Sequence, residues 1–124
     1  MNMRASIAAA QTSGPLPQPD GTTAFEFRFA TDDPTFAGHF PTRPLLPGVF
    51  QLEMARRAAE GVLRCPLAVR EVSRAKFLRP VLPEETVLLK LKLSEKDGGI
   101  QAHAEFSVSG QAAGRALLFL WRND

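Results

Sequence analysis

The sequence predicts an α+β domain in which antiparallel strands surround one long helix. Period-two alternation of apolar residues recurs through the C-terminal half, the mark of half-buried strands. Only the stretch from about Gly48 to Leu63 has the length and periodicity of a substantial helix. That stretch is also apolar around most of its circumference, as expected of a helix wrapped by its surroundings.

Residues 1–10 fit either a short strand or a short helix, and residues 11–22, rich in Pro and Gly, read as a loop. Together they form a poorly defined N-terminal segment, 1–22, of a single domain spanning 1–124. Phe25, Phe27 and Phe29 alternate with Glu26 and Arg28, which predicts a half-buried strand. Thr31 to Pro47 is proline-rich and reads as a loop. Pro47 marks the start of the helix, and Pro66 forbids its continuation. On a helical wheel Leu52, Ala55, Ala59, Val62 and Leu63 cover one side, and Phe50, Met54 and Ala58 much of another. A narrow charged stripe holds Glu53, Arg56, Arg57, Glu60 and Arg64. Strands follow within Leu67–Leu78, over Val87–Leu93, over Ile100–Val108 and over Ala113–Trp121. The turns Asp97-Gly98-Gly99 and Ser109-Gly110-Gln111 join the last three.

Composition excludes several classes. With 44% apolar and 23% charged residues the chain has an ordinary globular balance. Its longest apolar run, Ala116–Trp121, is far too short to span a bilayer, and its first residues lack the apolar core of a secretory signal. A cytoplasmic protein without membrane attachment is expected. The single Cys65 cannot form an internal disulfide; before Pro66 it reads as a small buried residue rather than a nucleophile. Two histidines and one cysteine are too few for a closed zinc site, so no metal is expected. Fifteen Lys plus Arg against thirteen Asp plus Glu is a mild excess without the dense basic and aromatic cluster of a nucleic-acid interface.

Chemistry concentrates in Gly38-His39-Phe40-Pro41-Thr42-Arg43-Pro44-Leu45-Leu46-Pro47-Gly48-Val49-Phe50-Gln51-Leu52-Glu53. A histidine, suited to moving protons near neutral pH, sits in a proline-stiffened loop before the helix. Gly48 at the helix start offers a backbone N–H, aided by the helix dipole, to an oxygen gaining negative charge. Glu53 follows within the first two turns, and a carboxyl in an apolar setting can serve as an acid. Taken singly, each has a plainer account. His39 could be a loop residue bonded to a carbonyl, Glu53 could pair with Arg57 at i+4 on a solvated face, and Gly48 could simply make a turn.

The literal pattern His-Phe-Pro-x-x-Pro-x-x-Pro-Gly-Val-x-x-x-Glu resembles the active-site motif of the 3-hydroxyacyl-acyl carrier protein dehydratases. Thr35-Phe36-Ala37-Gly38 is similar to that family's lead-in, and Ala75-Lys76-Phe77-Leu78-Arg79-Pro80-Val81-Leu82-Pro83 to its second landmark. The likeness covers about residues 22–119. It implies a hotdog fold, an antiparallel sheet wrapped round one central helix, assembled as a homodimer or a dimer of dimers. It also implies composite sites at the subunit interface, with His39 as base, the partner's Glu53 assisting departure of the hydroxyl, and the Gly48 N–H polarising the thioester carbonyl. Phe40, Val49 and Arg57 would join Gly48 around the substrate. No cofactor is required, and an acyl carrier protein would deliver the acyl group.

This sequence departs from the family at Thr42, where glycine is usual, and at Arg57, where glutamine is common. The His-Arg-Tyr-Pro-type N-terminal segment of the housekeeping enzymes has no counterpart here, and the chain looks more like the compact dehydratases of aryl polyene or polyketide clusters. Because carrier proteins are acidic, Arg43, Arg74, Lys76 and Arg79 are candidates for docking them. Arg57 would oppose an acid role if it paired tightly with Glu53; swung away, it would leave Glu53 in an apolar pocket. The competing functions are a hotdog thioesterase and a catalytically silent acyl-binding scaffold.

Overall fold

The computed structural model describes residues 2–36 and 45–123. In chain order it contains α1 (Met3–Ala10), β1 (Gln11–Pro17), β2 (Thr23–Arg28), a 3-10 turn over Pro34–Phe36, and α2 (Val49–Leu63). Four strands follow: β3 (Leu67–Phe77), β4 (Thr86–Lys96), β5 (Gly99–Val108) and β6 (Gln111–Arg122). They form one sheet in the order β1-β2-β4-β5-β6-β3, every neighbouring pair antiparallel. Helix α2 touches β1, β3, β4, β5 and β6. This is the α+β arrangement of a sheet curled round one helix, the hotdog architecture.

Alternation places the core. Val87, Leu89 and Leu91 of β4 and Ile100, Ala102, Ala104, Phe106 and Val108 of β5 are buried, while the residues between them face outward. From α2, Phe50, Met54, Ala55, Ala58 and Ala59 pack down onto them. Phe29 meets Phe50 edge-on with ring centroids 6.0 Å apart. Burying each such phenylalanine contributes about 1.5–3 kcal/mol. Both C-terminal hairpins close through two residues with positive φ, Asp97-Gly98 and Ser109-Gly110, the conformation that matches the twist of the flanking strands. Helix α2 ends at Arg64 in the left-handed region, with the Arg64 N–H donating to the Glu60 carbonyl and Pro66 following.

Two expectations change. The N-terminal ten residues are settled as helix over Met3–Ala10, capped by the Asn2 side chain, which accepts from the Ala5 N–H at 3.1 Å. The expected loop at 11–22 is for more than half its length strand β1. Proline cannot donate to a ladder, but β1 lies at the sheet edge, where half of the backbone groups need no strand partner. Its pairing with β2 is broken by two register shifts. Gly14 is obligatory there: its φ is +108°, and a Cβ would lie 2.6 Å from the Phe25 ring.

Strand β3 forms the opposite edge. Among the described residues it pairs only with β6, and after Leu67 and Ala68 it is exposed along its length. Cys65 is half-buried at the rim of the core, less enclosed than expected.

Candidate active site

The first turn of α2 begins at Gly48, whose φ of −57° and ψ of −33° are already helical. Among the described residues no side chain caps this end; the Phe50 and Gln51 N–H groups turn back to the Pro47 and Gly48 carbonyls at 3.0 and 2.9 Å. The first N–H groups of a helix lack intrahelical partners, so this end favours an oxyanion. Gly48 is also where the Phe77 ring lies against the helix: a Cβ would meet it at 2.8 Å. Val49, beside it, is half exposed.

Glu53 occupies the second turn, and its surroundings are ionic rather than apolar. Arg56 Nε donates to both Glu53 oxygens at 2.9 Å, and Arg56 Nη2 donates to Oε1 at 2.5 Å. Arg4 of α1 adds a contact from Nε to Oε1 at 3.3 Å. The Glu53 side chain is only 11% exposed within this cluster. Arg56 is itself 6% exposed. Its Nη1 donates to the Leu67 carbonyl at 3.0 Å and pairs with Glu60 Oε2 at 2.7 Å. Glu60 Oε2 in turn accepts the Leu67 N–H at 2.8 Å. Hydrogen bonding to Glu53, opposed by burial, holds the Arg56 guanidinium more firmly protonated than an ordinary arginine.

Arg57, the residue the i+4 spacing singled out, points elsewhere: its Nε donates to Gln11 Oε1 of β1 at 2.9 Å. The partner of Glu53 is thus Arg56 at i+3, and the apolar pocket expected round the carboxylate is replaced by a salt-bridge network. Two residues of this site were not singled out from the sequence. Arg56 was assigned to the charged stripe, although its i+3 and i+4 relations to Glu53 and Glu60 were a usable signal. Gln51, 97% buried, was passed over; its Oε1 has no hydrogen-bond partner among the described residues. It lies against Gly114 of β6, where any Cβ would collide with it.

His39, Phe40, Thr42 and Arg43 lie outside the described residues. Gly48, Val49 and Glu53 are brought together on the first turns of α2. Arg74 and Lys76 are paired with Leu117 and Arg115, which places them on the outward face of the sheet, away from α2. With His103, Glu105 and Arg115 they line a groove of about 840 Å³. Arg79 is engaged, with Nη2 bonded to Glu85 at 2.9 Å and Nη1 to Gln111 at 3.2 Å. Among the described residues no cluster of three His, Cys, Asp or Glu side chains could hold a metal ion, and no helix is long and apolar enough to cross a membrane.

A sheet curled round one long helix, with Gly48 at the helix start and Glu53 in its second turn, defines the chain as a hotdog protein. Residues 17–115 match the ApeI-like family, described as ApeI dehydratase. The chain is 37% identical over 103 residues to the 3-hydroxyacyl-acyl-carrier-protein dehydratase FabZ of Histophilus somni, covering 75% of this chain and 68% of that protein. Among solved structures it resembles the dehydratase heterocomplex ApeI:P from Xenorhabdus doucetiae, with a TM-score of 0.72 and 28% identity over 85% of this chain and 92% of that one. A probable thioesterase from Bartonella henselae, 17% identical with a TM-score of 0.66 over 84% and 91% of the two chains, shares the fold. The chain belongs to the ApeI-like dehydratase family, within the 3-hydroxyacyl-acyl carrier protein dehydratases that the His-Phe-Pro motif led us to expect.

Proposed function

We propose that this protein removes water from 3-hydroxyacyl thioesters carried on an acyl carrier protein, giving trans-2-enoyl thioesters in fatty acid, aryl polyene or polyketide-type synthesis. The observation that carries this reading is the dehydratase motif itself, with Gly48 at the open N-terminus of α2 and Glu53 within its second turn. His39 takes the C2 proton, and the electron pair moves toward the thioester carbonyl, whose oxygen is stabilised by the Gly48 N–H. The C3–O bond then breaks and the hydroxyl leaves as water, taking up the proton that His39 removed from C2, while the Glu53 carboxylate holds the 3-hydroxyl in place for departure. Phe40, Val49 and Arg57 line the path of the acyl-pantetheine arm. Arg43, Arg74, Lys76 and, more weakly because of its own ion pair, Arg79 attract the acidic carrier.

The site is composite in this reading, with His39 and Glu53 supplied by different subunits of a homodimer or a dimer of dimers. The unpaired edge of β3 supports this, as do the exposed apolar side chains of Val49, Phe77 and Leu78 around the helix start. A cytoplasmic setting goes with the unpaired Cys65.

An ultraviolet assay on a 3-hydroxyacyl and an enoyl thioester tests the proposal. Reversible hydration is expected; release of free thiol would mean a thioesterase, and binding without turnover a scaffold. His39→Ala and Glu53→Gln should each lower turnover by on the order of a hundredfold with the fold intact. Near-normal turnover in both would remove these residues from the mechanism.

A further inference from the structure

We infer that Arg56 is the positioning residue of this site: it fixes the Glu53 carboxylate in one orientation and leaves Oε2 as the oxygen that meets the substrate's 3-hydroxyl. The inference rests on the dehydratase reading above and adds no chemical step to it.

The geometry is that of a clamp. Of the short contacts to Glu53 among the described residues, Oε1 takes Arg56 Nε, Arg56 Nη2 and Arg4 Nε, whereas Oε2 takes only a share of Arg56 Nε. Oε2 therefore keeps the greater capacity for one more hydrogen bond. The clamp is itself anchored. Arg56 Nη1 is held by the Leu67 carbonyl and by Glu60, and Glu60 is held by the Leu67 N–H. The orientation of Glu53 is thus referred to the backbone at the start of β3, a second element, rather than to the helix alone.

Stability alone does not account for such an arrangement. An ion pair taken almost out of water gains little net energy over a well-packed apolar pair, because both charges lose hydration. What a planar, forked guanidinium supplies that apolar packing cannot is direction. A glutamate carboxylate on three rotatable bonds would otherwise sample several rotamers, and misplacing a reacting group by about 1 Å can lower turnover by about a hundredfold.

The test compares wild type, Arg56→Met, Arg56→Lys, Glu53→Gln and the Arg56→Met/Glu53→Gln double variant. Steady-state kinetics on a 3-hydroxyacyl-pantetheine thioester are measured beside circular dichroism and Tm. Arg56→Met should lower kcat by about tenfold or more while KM changes by less than about twofold, since orientation rather than binding is lost. Arg56→Lys, which keeps the charge but not the fork, should recover only part of that loss. On the Glu53→Gln background the Arg56→Met change should cost less than about a further twofold, because there is no carboxylate left to aim. An undiminished loss on that background would show that Arg56 acts through the fold and overturn the inference, as would wild-type kcat in Arg56→Met. If Arg56→Met does not fold, the Arg56→Lys protein decides, with unchanged kcat counting against the clamp. A wild type that turns over neither 3-hydroxyacyl nor enoyl thioester overturns the dehydratase reading itself, whereas an active wild type with an equally active Arg56→Met overturns only this inference.

Discussion

Strands β5 and β3 have similar lengths and belong to one sheet, yet they live in different environments. In β5 every second residue from Ile100 to Val108 is buried, and both edges are paired, with β4 and β6. In β3 nearly every residue is exposed, although Val69, Val72, Ala75 and Phe77 are paired with Leu120, Leu118, Ala116 and Gly114 and so share the inner face of the sheet. Helix α2 reaches β3 at Leu67, whose carbonyl takes Arg56 Nη1, and at Phe77, whose ring lies against Gly48, and leaves the strand between them exposed. The difference teaches that β5 completes a core within one chain, whereas β3 presents the materials of a core without the second layer.

The comparison breaks most severely at Phe106. It is 1% exposed on the inner face of β5, and Phe106→Ala should lower unfolding free energy by about 3–5 kcal/mol through lost transfer energy and the cavity left behind. Urea denaturation measures it; a loss below about 1 kcal/mol would mean that β5 is not the closed half we describe. The next contrast concerns Val72, 40% exposed on β3. Val72→Asp should change chain stability by less than about 0.5 kcal/mol, yet abolish association at micromolar concentration, measured by sedimentation. A wild type that already sediments as a monomer would make β3 a finished edge instead of half an interface.

The smallest effect belongs to the segment between β3 and β4. Glu84 sits there with a φ of +68°, its Oε2 accepting the Thr31 N–H at 2.8 Å and the Thr31 hydroxyl at 3.1 Å. The Thr31 backbone bond first, then the Thr31 hydroxyl and the charge of Arg28, hold this carboxyl below the usual glutamate range. A depressed folded value contributes stability above the ordinary pKa of 4.5, and that contribution is lost as pH falls through the lower folded value. Glu84→Gln should therefore lower the neutral plateau slightly and flatten the acid limb of the stability–pH curve. An unchanged acid limb would show that the Thr31 bonds do not survive in solution.

How much of this was legible follows the same division. β4, β5 and β6 were readable because each buries one face against its own chain, so alternation is enforced residue by residue. The helix was readable from Pro47, Pro66 and its apolar girth. β1 was hidden because Gly14, Pro15 and Pro17 are turn residues by composition, and only an edge position lets them be strand. The N-terminal helix had too few side chains of either kind to choose a period. At the candidate site, the places of Gly48 at the start of α2 and Glu53 within it were legible, but the partner of Glu53 was not. Arg56 and Arg57 are neighbours in sequence, and the choice between them was made by the distant Leu67 carbonyl and Gln11 amide, which no local spacing reveals.

The two edges of the sheet are not alike. On β1, Pro15 and Pro17 lack N–H groups and two register shifts bend the ladder, so another strand finds few donors there. On β3, from Leu67 to Phe77, no residue is proline, so every residue keeps its N–H donor, although this strand too carries two register shifts against β6. A dimer joined through β3, as proposed, would turn only β1 edges outward, and edge-to-edge growth would stop at two sheets instead of running on into a fibre. In such a dimer any larger assembly would have to form face to face, with the proline-blunted β1 as the limit on polymerisation.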